Sequence, residues 1–331
     1  MTGAEIIPWV RAHRVLGRVT VSPPQGMPAR LVPRRPISQP GRPGVWLGPH
    51  FLAVLLAAST VLVQISYPLL DGEALRAATI VVVLLFCTTS LLHAGVHLGT
   101  GAAARLLAVA GGLGLVAEMV GVQAGVPFGQ YSYAGTLGPQ VLGVPVVVPL
   151  AWTMMAYPCL LLGRRLTRNL PSNININGAR TGSAARVAAL AVAGGAALAA
   201  WDLFLDPQMV SAGHWTFDDP TPALPGVAGI PLTNYAGWLV VAVPMIAALH
   251  LALPATDHLD RSALAVPSAL LAWTWLGSAL ANVAFFGRAV VGAWGFVGMS
   301  LTVAPYLFSL RRPDHQPVPP ARPLAAEPAA P

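Results

Sequence analysis

The sequence lacks lysine, since all 19 of its basic residues are arginines. A retinal Schiff base requires a lysine amine, so this absence excludes a retinal-binding membrane protein. The two cysteines, Cys87 and Cys159, lie in apolar segments, which argues against a disulfide framework. Only 9% of the residues are charged, whereas a soluble domain carries roughly 25%. The chain is therefore not an ordinary soluble domain.

Long apolar runs are the main feature that the sequence does have. Hydrophobic residues make up 55% of the chain, and they form runs of about 20 residues, long enough to cross a hydrocarbon core of about 30 Å. The pattern predicts an all-α fold, a polytopic transmembrane helical bundle with about eight spans. The predicted spans are residues 46–67, 75–95, 104–125, 141–163, 184–205, 235–253, 263–285 and 289–310.

Arginine is distributed unevenly over the connections between these spans. It is frequent in the N-terminal flank, in the connection 164–186 and after the last span, whereas the alternate connections hold only Arg76 and Arg288. Arginine-rich connections remain on the cytoplasmic side of a membrane. We therefore expect both termini to be cytoplasmic and the protein to lie in the cytoplasmic membrane. The net charge of +7 then reflects topology and not nucleic-acid binding.

Both ends of the chain differ in composition from the middle. Residues 1–44 are rich in proline and arginine and lack a sustained apolar stretch, and residues 311–331 are rich in proline and alanine. Such segments cannot bury enough apolar surface to fold. We expect a disordered basic tail over 1–44, a transmembrane domain over 45–310 and a second disordered tail over 311–331.

Three of the twelve acidic residues lie within the predicted spans: Glu118, Asp202 and Asp206. A charge near the bilayer centre costs roughly 2.5–3.5 kcal/mol on insertion scales, so such residues usually face the bundle interior and mark function. Asp202 and Asp206 are four residues apart and share one helix face. All three lie near the non-cytoplasmic ends of their spans, which makes them candidates for one catalytic site. Alternatively, they cap helix ends or pair with Arg76 or Arg288.

Aromatic and amide side chains concentrate at the same predicted depth. The candidates for contact with a substrate are Tyr131, Trp152, Trp201, Asn234 and Tyr235. Two further tryptophans, Trp215 and Trp238, fit an interfacial aromatic belt equally well.

Other patterns in the sequence carry less chemistry. His93 and His97 are spaced as metal ligands on a helix, but a membrane di-iron enzyme needs several such boxes, and the remaining histidines form none. We therefore expect no metal and no cofactor. A weak internal repeat of the form G-φ-P-φ-x-x-Y, where φ is apolar, occurs at residues 125–131 and again at 229–235.

Several segments stand out by their order and spacing: residues 118–133 (EMVGVQAGVPFGQYSY), Gly138-Pro139, 143–145 (GVP) with Trp152, 201–207 (WDLFLDP) and 229–238 (GIPLTNYAGW). Together they resemble one family, the membrane carotenoid hydratases of the bisanhydrobacterioruberin and γ-carotene 1′,2′-hydratase type. The resemblance covers roughly residues 50–310. It implies a cofactor-independent enzyme that adds water across the terminal double bond of an acyclic carotenoid ψ end group.

The chemistry that such a reaction requires can be assigned to the candidate residues. Protonation of the alkene at C-2 leaves a tertiary cation at C-1, to which water adds. A carboxylic acid in an apolar site keeps its proton, and a second carboxylate nearby strengthens the effect. We expect Asp202 or Glu118 to donate the proton, and the other of the two, or Asp206, to position and deprotonate water.

The remaining candidates have supporting roles in this scheme. The π faces of Trp201, Trp152 and Tyr131 would stabilise the cation, and Asn234 would hold the water. The expected partners are the polyene, water and the lipid bilayer, together with other carotenoid-pathway enzymes, and no nucleic acid.

Three other functions fit parts of the sequence. Asp202-x-x-x-Asp206 resembles half of the Mg²⁺–diphosphate motif of a membrane prenyltransferase, although the later spans contain no second acidic cluster. Intramembrane acids also occur in transporters and lipid-binding proteins. A carotenoid end-group cyclase would begin with the same protonation and capture the cation internally.

Overall fold

The computed structural model of the chain describes residues 48–170, 175–176, 179–180 and 182–311. The predicted tail 1–44 lies outside these residues, as does the predicted tail 311–331 except for Arg311. The described part contains nine α-helices and six short strands. The helices are α1 Pro49–Ser66, α2 Gly72–Leu98, α3 Thr100–Leu106, α4 Gly112–Ala124, α5 Val147–Thr167, α6 Gly182–Ser211, α7 Leu232–Ala252, α8 Ala265–Ala284 and α9 Ala289–Arg311.

The predicted all-α membrane architecture is confirmed. Seven helical segments of the described chain are long and apolar enough to cross a membrane. These segments are Pro49–Leu69, Gly72–Leu98, Thr100–Ala124, Val147–Thr167, Ala184–Ser211, Leu232–Ala252 and Ala289–Arg311. The eighth predicted span forms α8, whose 20 residues extend about 30 Å, but this helix is not among those seven segments.

Two predicted spans differ in detail from the helices that form. The fourth begins at Val147 and not at residue 141, because Gln140–Val141 (β2) and Val144–Pro145 (β3) pair as a tight hairpin. Gly143 in this hairpin has a φ of +86°, a backbone conformation that residues with a side chain rarely adopt. The third span is divided into α3 and α4 by a π-helical turn, Leu107–Gly111.

Helix α5 is the central element of the bundle. In its apolar stretch 83% of the residues are buried, compared with 17% in the apolar stretch of α1, which lies at the periphery. It packs against α2 on one side and α6 on another, while α6 also contacts α7 and α9. The two most enclosed segments are therefore α5 and α6, whereas α1 packs mainly against α2.

Small residues allow α5, α6 and α7 to approach closely. A methyl group added at Gly163 of α5 would lie 2.6 Å from the carbonyl oxygen of Leu190 on α6. One added at Gly195 of α6 would lie 2.7 Å from the backbone of Val243 on α7. Close backbone contact of this kind is how membrane helices gain packing energy without a hydrophobic driving force.

Two short strands join the connections that follow α4 and α6. Strand β1, Tyr131–Tyr133, pairs antiparallel with β6, Trp215–Phe217. The two copies of the G-φ-P-φ-x-x-Y repeat also touch, since a methyl group added at Gly129 would lie 3.1 Å from the hydroxyl of Thr233. The remaining strands, β4 Asn175–Ile176 and β5 Ala179–Arg180, form a separate pair. The β1–β6 pairing brings the ends of α4 and α6 together.

Candidate active site

A cavity of about 130 Å³ lies among α2, α4, α5, α6, α7 and α8 and reaches α1. Two of the predicted acids, Glu118 and Asp206, are in its wall. Much of the rest is aromatic or apolar, including Phe86, Phe128, Met154, Met155, Trp152, Trp201, Phe204, Met209, Trp215 and Trp238. The site is therefore a largely apolar chamber that presents carboxyl groups.

Glu118 on α4 is buried and receives three hydrogen bonds from side chains. Tyr131 and Tyr133 donate to Oε2 over 2.5 and 2.7 Å, and the indole of Trp152 donates to Oε1 over 2.9 Å. Both carboxyl oxygens thus act as acceptors, an arrangement that suits an ionised carboxylate. Burial and the neighbouring Glu118 raise the pKa of Tyr131 and Tyr133 far above the ordinary value, so both phenols remain protonated donors.

Glycines on α4 make room for these donors. A methyl group at Gly114 would lie 2.7 Å from the Trp152 ring, and one at Gly121 would lie 2.8 Å from the Tyr131 hydroxyl. The strand β1 then places Tyr131 and Tyr133 two residues apart, with both hydroxyls directed to Glu118. The segment from Glu118 to Tyr133 therefore folds back on itself around the carboxylate.

Asp202 and Asp206, one turn apart on α6, share an amide donor, and the Trp215 side chain is a second hydrogen-bond partner of Asp206. The side-chain amide of Asn234 on α7 donates to Oδ2 of Asp202 over 2.8 Å and also to Oδ2 of Asp206. Asp202 is 0% exposed and Asp206 3%. Oδ1 of Asp202 has no hydrogen-bond partner among the described residues. Two carboxyls this close in an apolar site cannot both ionise readily, so the pair is suited to hold one proton between them.

The structure does not place the acids in either of the alternative roles. Helix α6 continues past Pro207 to Ser211, so Asp206 lies within the helix and does not cap its end. Arg76 pairs with Glu73 in its own helix, and Arg288 donates to the backbone carbonyl of Pro207 over 2.9 Å. The two arginines considered from the sequence are therefore engaged with other groups.

The tryptophans pack as a connected group against the carboxyls. Trp152 and Trp238 stack with ring centroids 4.0 Å apart and planes at 17°, and Trp201 meets Trp238 edge to face at 5.9 Å. Trp215 and Trp238, which also fitted an interfacial belt, both line the cavity. The wall thus offers several π faces near the acids.

The structure brings most of the predicted site residues together and separates two from the cavity. Tyr131, Trp152, Trp201 and Asn234 are in the wall. Asp202, by contrast, is not a wall residue. Tyr235 is not in the wall either, although its hydroxyl is close enough to both aspartates to interact with them electrostatically. The prediction that Tyr235 contacts substrate is therefore not supported by its position.

Sequence reasoning missed several residues of the wall. Tyr133 was within the segment already singled out, and alternation along a strand would have placed it on the same face as Tyr131. Gln64 on α1, Thr79 on α2 and Ser278 on α8 also line the cavity. Their helices are distant in sequence, and no local pattern indicates that they converge.

The paired histidines considered as metal ligands are used in packing. Nδ1 of His93 shares a hydrogen bond of 2.9 Å with the hydroxyl of Tyr157, and Nε2 contacts the carbonyl oxygen of Ala263 at 2.6 Å. In the described ranges, no group of three or more histidine, cysteine, aspartate or glutamate side chains is arranged to hold a metal ion.

Comparisons with known proteins indicate the family. Residues 78–303 match the family model described as carotenoid biosynthesis protein. A stretch of 124 residues is 33% identical to the bisanhydrobacterioruberin hydratase of Haloarcula japonica, and the match covers 37% of this chain and 36% of that protein. The chain thus spans about a third of the length of this curated relative. No solved structure matches. Because the family model covers more than half of the chain, the protein belongs to the carotenoid biosynthesis protein family.

Proposed function

We propose that the protein is a carotenoid hydratase that adds water, by acid catalysis and without a cofactor, to the terminal double bond of a carotenoid ψ end group. The observation that carries the proposal is the presence of two unlike carboxyl centres in the wall of one apolar, aromatic-lined cavity. Glu118 has three side-chain donors, whereas the two carboxyls of the Asp202–Asp206 pair have two donors between them, Asn234 and Trp215. The named hydratase among its relatives supports the same reaction.

The aspartate pair is the acid in this proposal. Protonation of an unactivated alkene needs a proton held in a dry site by a group that has no easy way to ionise. Asp206 lines the cavity and Asp202 does not, so Asp206 delivers the proton to C-2, and Asp202, which shares the Asn234 amide, takes part of the resulting negative charge. This assignment differs from the sequence-based preference for Asp202 or Glu118 as donor.

Glu118 is the base. Its carboxylate accepts a proton from the water molecule as the oxygen bonds to the cation at C-1, and the product is a tertiary alcohol. The proton later returns to the aspartate pair, so acid and base are both regenerated and no proton is consumed. Glu118 and Asp206 line the same cavity, so the proton can return through it.

The tryptophans stabilise the intermediate cation. A desolvated cation over an indole face gains about 2 kcal/mol or more, and the stacked pair Trp152–Trp238 with Trp201 offers such faces beside the acids. The indole N–H of Trp152 is directed to Glu118, so its edge orients the base while its ring borders the cation.

The cavity favours an apolar polyene over a diphosphate ester. The described residues that line it include no arginine or histidine, and a diphosphate requires cations or a bound metal. The described lining residues therefore lack the phosphate-binding group that a membrane prenyltransferase requires. We further propose that the protein acts in the cytoplasmic membrane, where the polyene is dissolved and where both termini face the cytoplasm.

The test is liquid chromatography–mass spectrometry of carotenoids from hosts that express the chain and produce lycopene, γ-carotene or a C50 precursor. We expect a product heavier by one water that carries a tertiary hydroxyl. A host expressing the triple variant Glu118→Gln/Asp202→Asn/Asp206→Asn is the control. A cyclised product of unchanged mass would show that the protein is an end-group cyclase and not a hydratase. If all three polyenes remain unchanged although the protein accumulates in the membrane, the proposal fails.

A further inference from the structure

The cavity lined by Glu118 and Asp206 has a second group of polar side chains, on α1, α2 and α8. The members of this group are Gln64 on α1, Thr79 on α2, and Thr274 and Ser278 on α8. Among the described lining residues, α1 and α8 contribute no apolar side chain, whereas those from α5 are apolar apart from the indole of Trp152. Burying an amide or a hydroxyl in an apolar environment costs free energy unless it has a polar partner. Their convergence on one cavity therefore points to a polar ligand.

The helix ends that carry this polar group meet at one surface of the bundle. Residues 67–71 connect α1 to α2, and Gln64 lies two residues before the end of α1, while Thr79 lies seven residues after the start of α2. Phe286, two residues after the end of α8, packs against the cluster that contains Tyr67. The end of α8 therefore lies beside the α1–α2 connection. At 1.5 Å per residue, Gln64 and Thr79 are within about 11 Å of their helix ends.

The hydrogen bonds of this group leave it with both donors and acceptors. The indole of Trp273 donates to the side-chain oxygen of Gln64 over 2.7 Å, so the remaining end of that amide is its NH₂, which can only donate. The hydroxyls of Thr79 and Thr274 each donate to a backbone carbonyl of their own helix over 2.9 Å, and their oxygens can accept in turn. Tyr67, which also lines the cavity, is a further hydrogen-bond partner of Thr79. This mixture suits a neutral ligand that both donates and accepts.

Water is the ligand of that kind that the proposed reaction consumes. The cavity volume of about 130 Å³ exceeds the roughly 10–15 Å³ that one buried water requires, and such a water also needs roughly two to four polar partners. The apolar part of the wall on α5 does not supply them. The bond from Trp273 to Gln64 joins α8 to α1, as polar bonds between membrane helices do, but it does not require Thr79 or Ser278 to face the same space.

We propose that Gln64, Thr79 and Ser278 bind the water that the reaction consumes and mark the route by which it enters from the surface where α1, α2 and α8 end. Gln64, oriented by Trp273, is the main water-binding residue. Water passes from this group to Glu118, which takes a proton from it as the oxygen bonds to C-1. The role in catalysis rests on the proposed hydratase function, whereas the presence of water in the cavity does not.

A shortage of water at the cation has a chemical signature. In D₂O the proposed donor, Asp206, carries deuterium, which adds to C-2 and leaves the cation at C-1. If no water adds, the cation loses the original hydrogen of C-2 as a proton to a carboxylate of the site, and the alkene re-forms with deuterium in its place. Deuterium in recovered polyene thus counts protonations that did not lead to hydration.

The experiment compares Gln64→Leu with wild type by two readouts. The first is the ratio of deuterium in recovered polyene to alcohol formed in D₂O, with the polyene that wild type hydrates. The second is radiolytic hydroxyl-radical labelling of substrate-free protein, read by mass spectrometry at Met154 and Met155, which are 5% and 0% exposed and line the cavity. Radicals form from water, so buried methionines are labelled where water lies beside them. Gln123→Leu is the matched control, because it removes an exposed amide on α4 that is not among the lining residues.

We expect Gln64→Leu to lower alcohol formation about fivefold, the effect of one lost hydrogen bond, and to lower protonation less than about twofold. The ratio of exchange to hydration should therefore rise, and labelling of Met154 and Met155 should fall. Ser278→Ala should change both readouts in the same direction and by less. Gln123→Leu should leave both unchanged.

An equal fall in exchange and hydration in Gln64→Leu would overturn the inference, because the residue would then act on protonation or on packing and not on water. Unchanged labelling of both methionines would overturn it as well. If Gln64→Leu does not accumulate in the membrane, Ser278→Ala, which removes a single hydroxyl, decides the question by the same two readouts. If wild type hydrates no polyene, the proposed function fails, and the labelling still tests whether water enters beside Gln64.

Discussion

Glu118 and Asp206 line one cavity, and Glu118 differs from the Asp202–Asp206 pair in its supply of hydrogen-bond donors. Glu118 has three side-chain donors for one carboxyl, while the two aspartates have two between them, the Asn234 amide and the Trp215 indole. The number of donors for each carboxyl differs about threefold, although burial is similar. In an apolar site, the number of hydrogen-bond donors around each carboxyl group therefore decides which one carries a charge and which one retains its proton.

The strongest test of this comparison is removal of the acid that faces the cavity. Asp206→Asn replaces the proposed proton donor with an amide of the same shape, and general acid catalysis contributes about 10²–10⁴-fold to a rate. We expect hydration to fall about 10³-fold while the protein still accumulates in the membrane, measured as tertiary alcohol formed per mole of protein. Asp218→Asn, an exposed acid outside the spans, is the matched control. If Asp206→Asn were active and Asp202→Asn inactive, Asp202 would be the proton donor and Asp206 would have the supporting role.

Removal of the charge at Glu118 is expected to have the next largest effect. In Glu118→Gln, one oxygen becomes an amide nitrogen that faces the donors of Tyr131, Tyr133 or Trp152, so the variant loses the base and gains a donor–donor conflict. We expect activity to fall about 10²-fold and thermal stability in detergent to fall as well. By contrast, Asp202→Asn should cost less stability, because that carboxyl has an oxygen without a partner. Equal losses of stability in the two variants would contradict the proposed difference in donor supply.

The aromatic side of the comparison can be tested at Trp238. Trp238→Phe reduces the ring area that stacks on Trp152, and it leaves all three carboxyls and their donors in place. We expect kcat to fall about tenfold with little change in KM, because a cation–π contact is made only after protonation. Trp294→Phe on the exposed face of α9 provides the control. A change in KM alone would indicate that Trp238 binds the polyene and not the cation.

The smallest expected effect concerns stability at acidic pH near the β1–β6 strands. Burial, with a contribution from Arg76, lowers the pKa of His214 below its ordinary value of 6.5. The folded state therefore prefers the neutral ring, and its stability is complete above pH 6.5 and declines as pH falls through the lowered pKa. His214→Asn keeps an acceptor for Thr136 and should flatten this decline in a thermal melt between pH 7 and about pH 5. An unchanged slope would show that other groups cause it.

The sequence predicted the helices well because each span leaves a local signal. Apolar runs of about 20 residues and the flanking arginines do not depend on tertiary contacts. All eight predicted spans correspond to long helices or, for the third, to a helix divided by a π turn. The start of α5 was wrong by six residues, because the hairpin of β2 and β3 consists of apolar residues that continue the hydrophobic pattern.

The site was predictable only where the residues are close in sequence. Glu118, Tyr131 and Trp152 were identified, since buried polarity and neighbouring aromatics mark them locally. Which face of α7 meets α6 is a tertiary property, so the sequence could not separate Asn234, which points to the aspartates, from Tyr235, which lies off the wall. Gln64 was missed for the same reason. Its position in the cavity depends on how α1 packs and on a hydrogen bond of 2.7 Å that the indole of Trp273 donates to its side-chain oxygen.

The cavity wall also divides by helix. The acids and most of their donors come from α4, α6, α7 and β1, whereas Phe86 on α2 and Met154 and Met155 on α5 shape the apolar part. Substitutions that enlarge or narrow that part need not disturb the carboxyls. A lineage carrying this fold could thus shift from one polyene to another in single steps while retaining its reaction, and laboratory selection for new pigments should accumulate changes on α2 and α5 first.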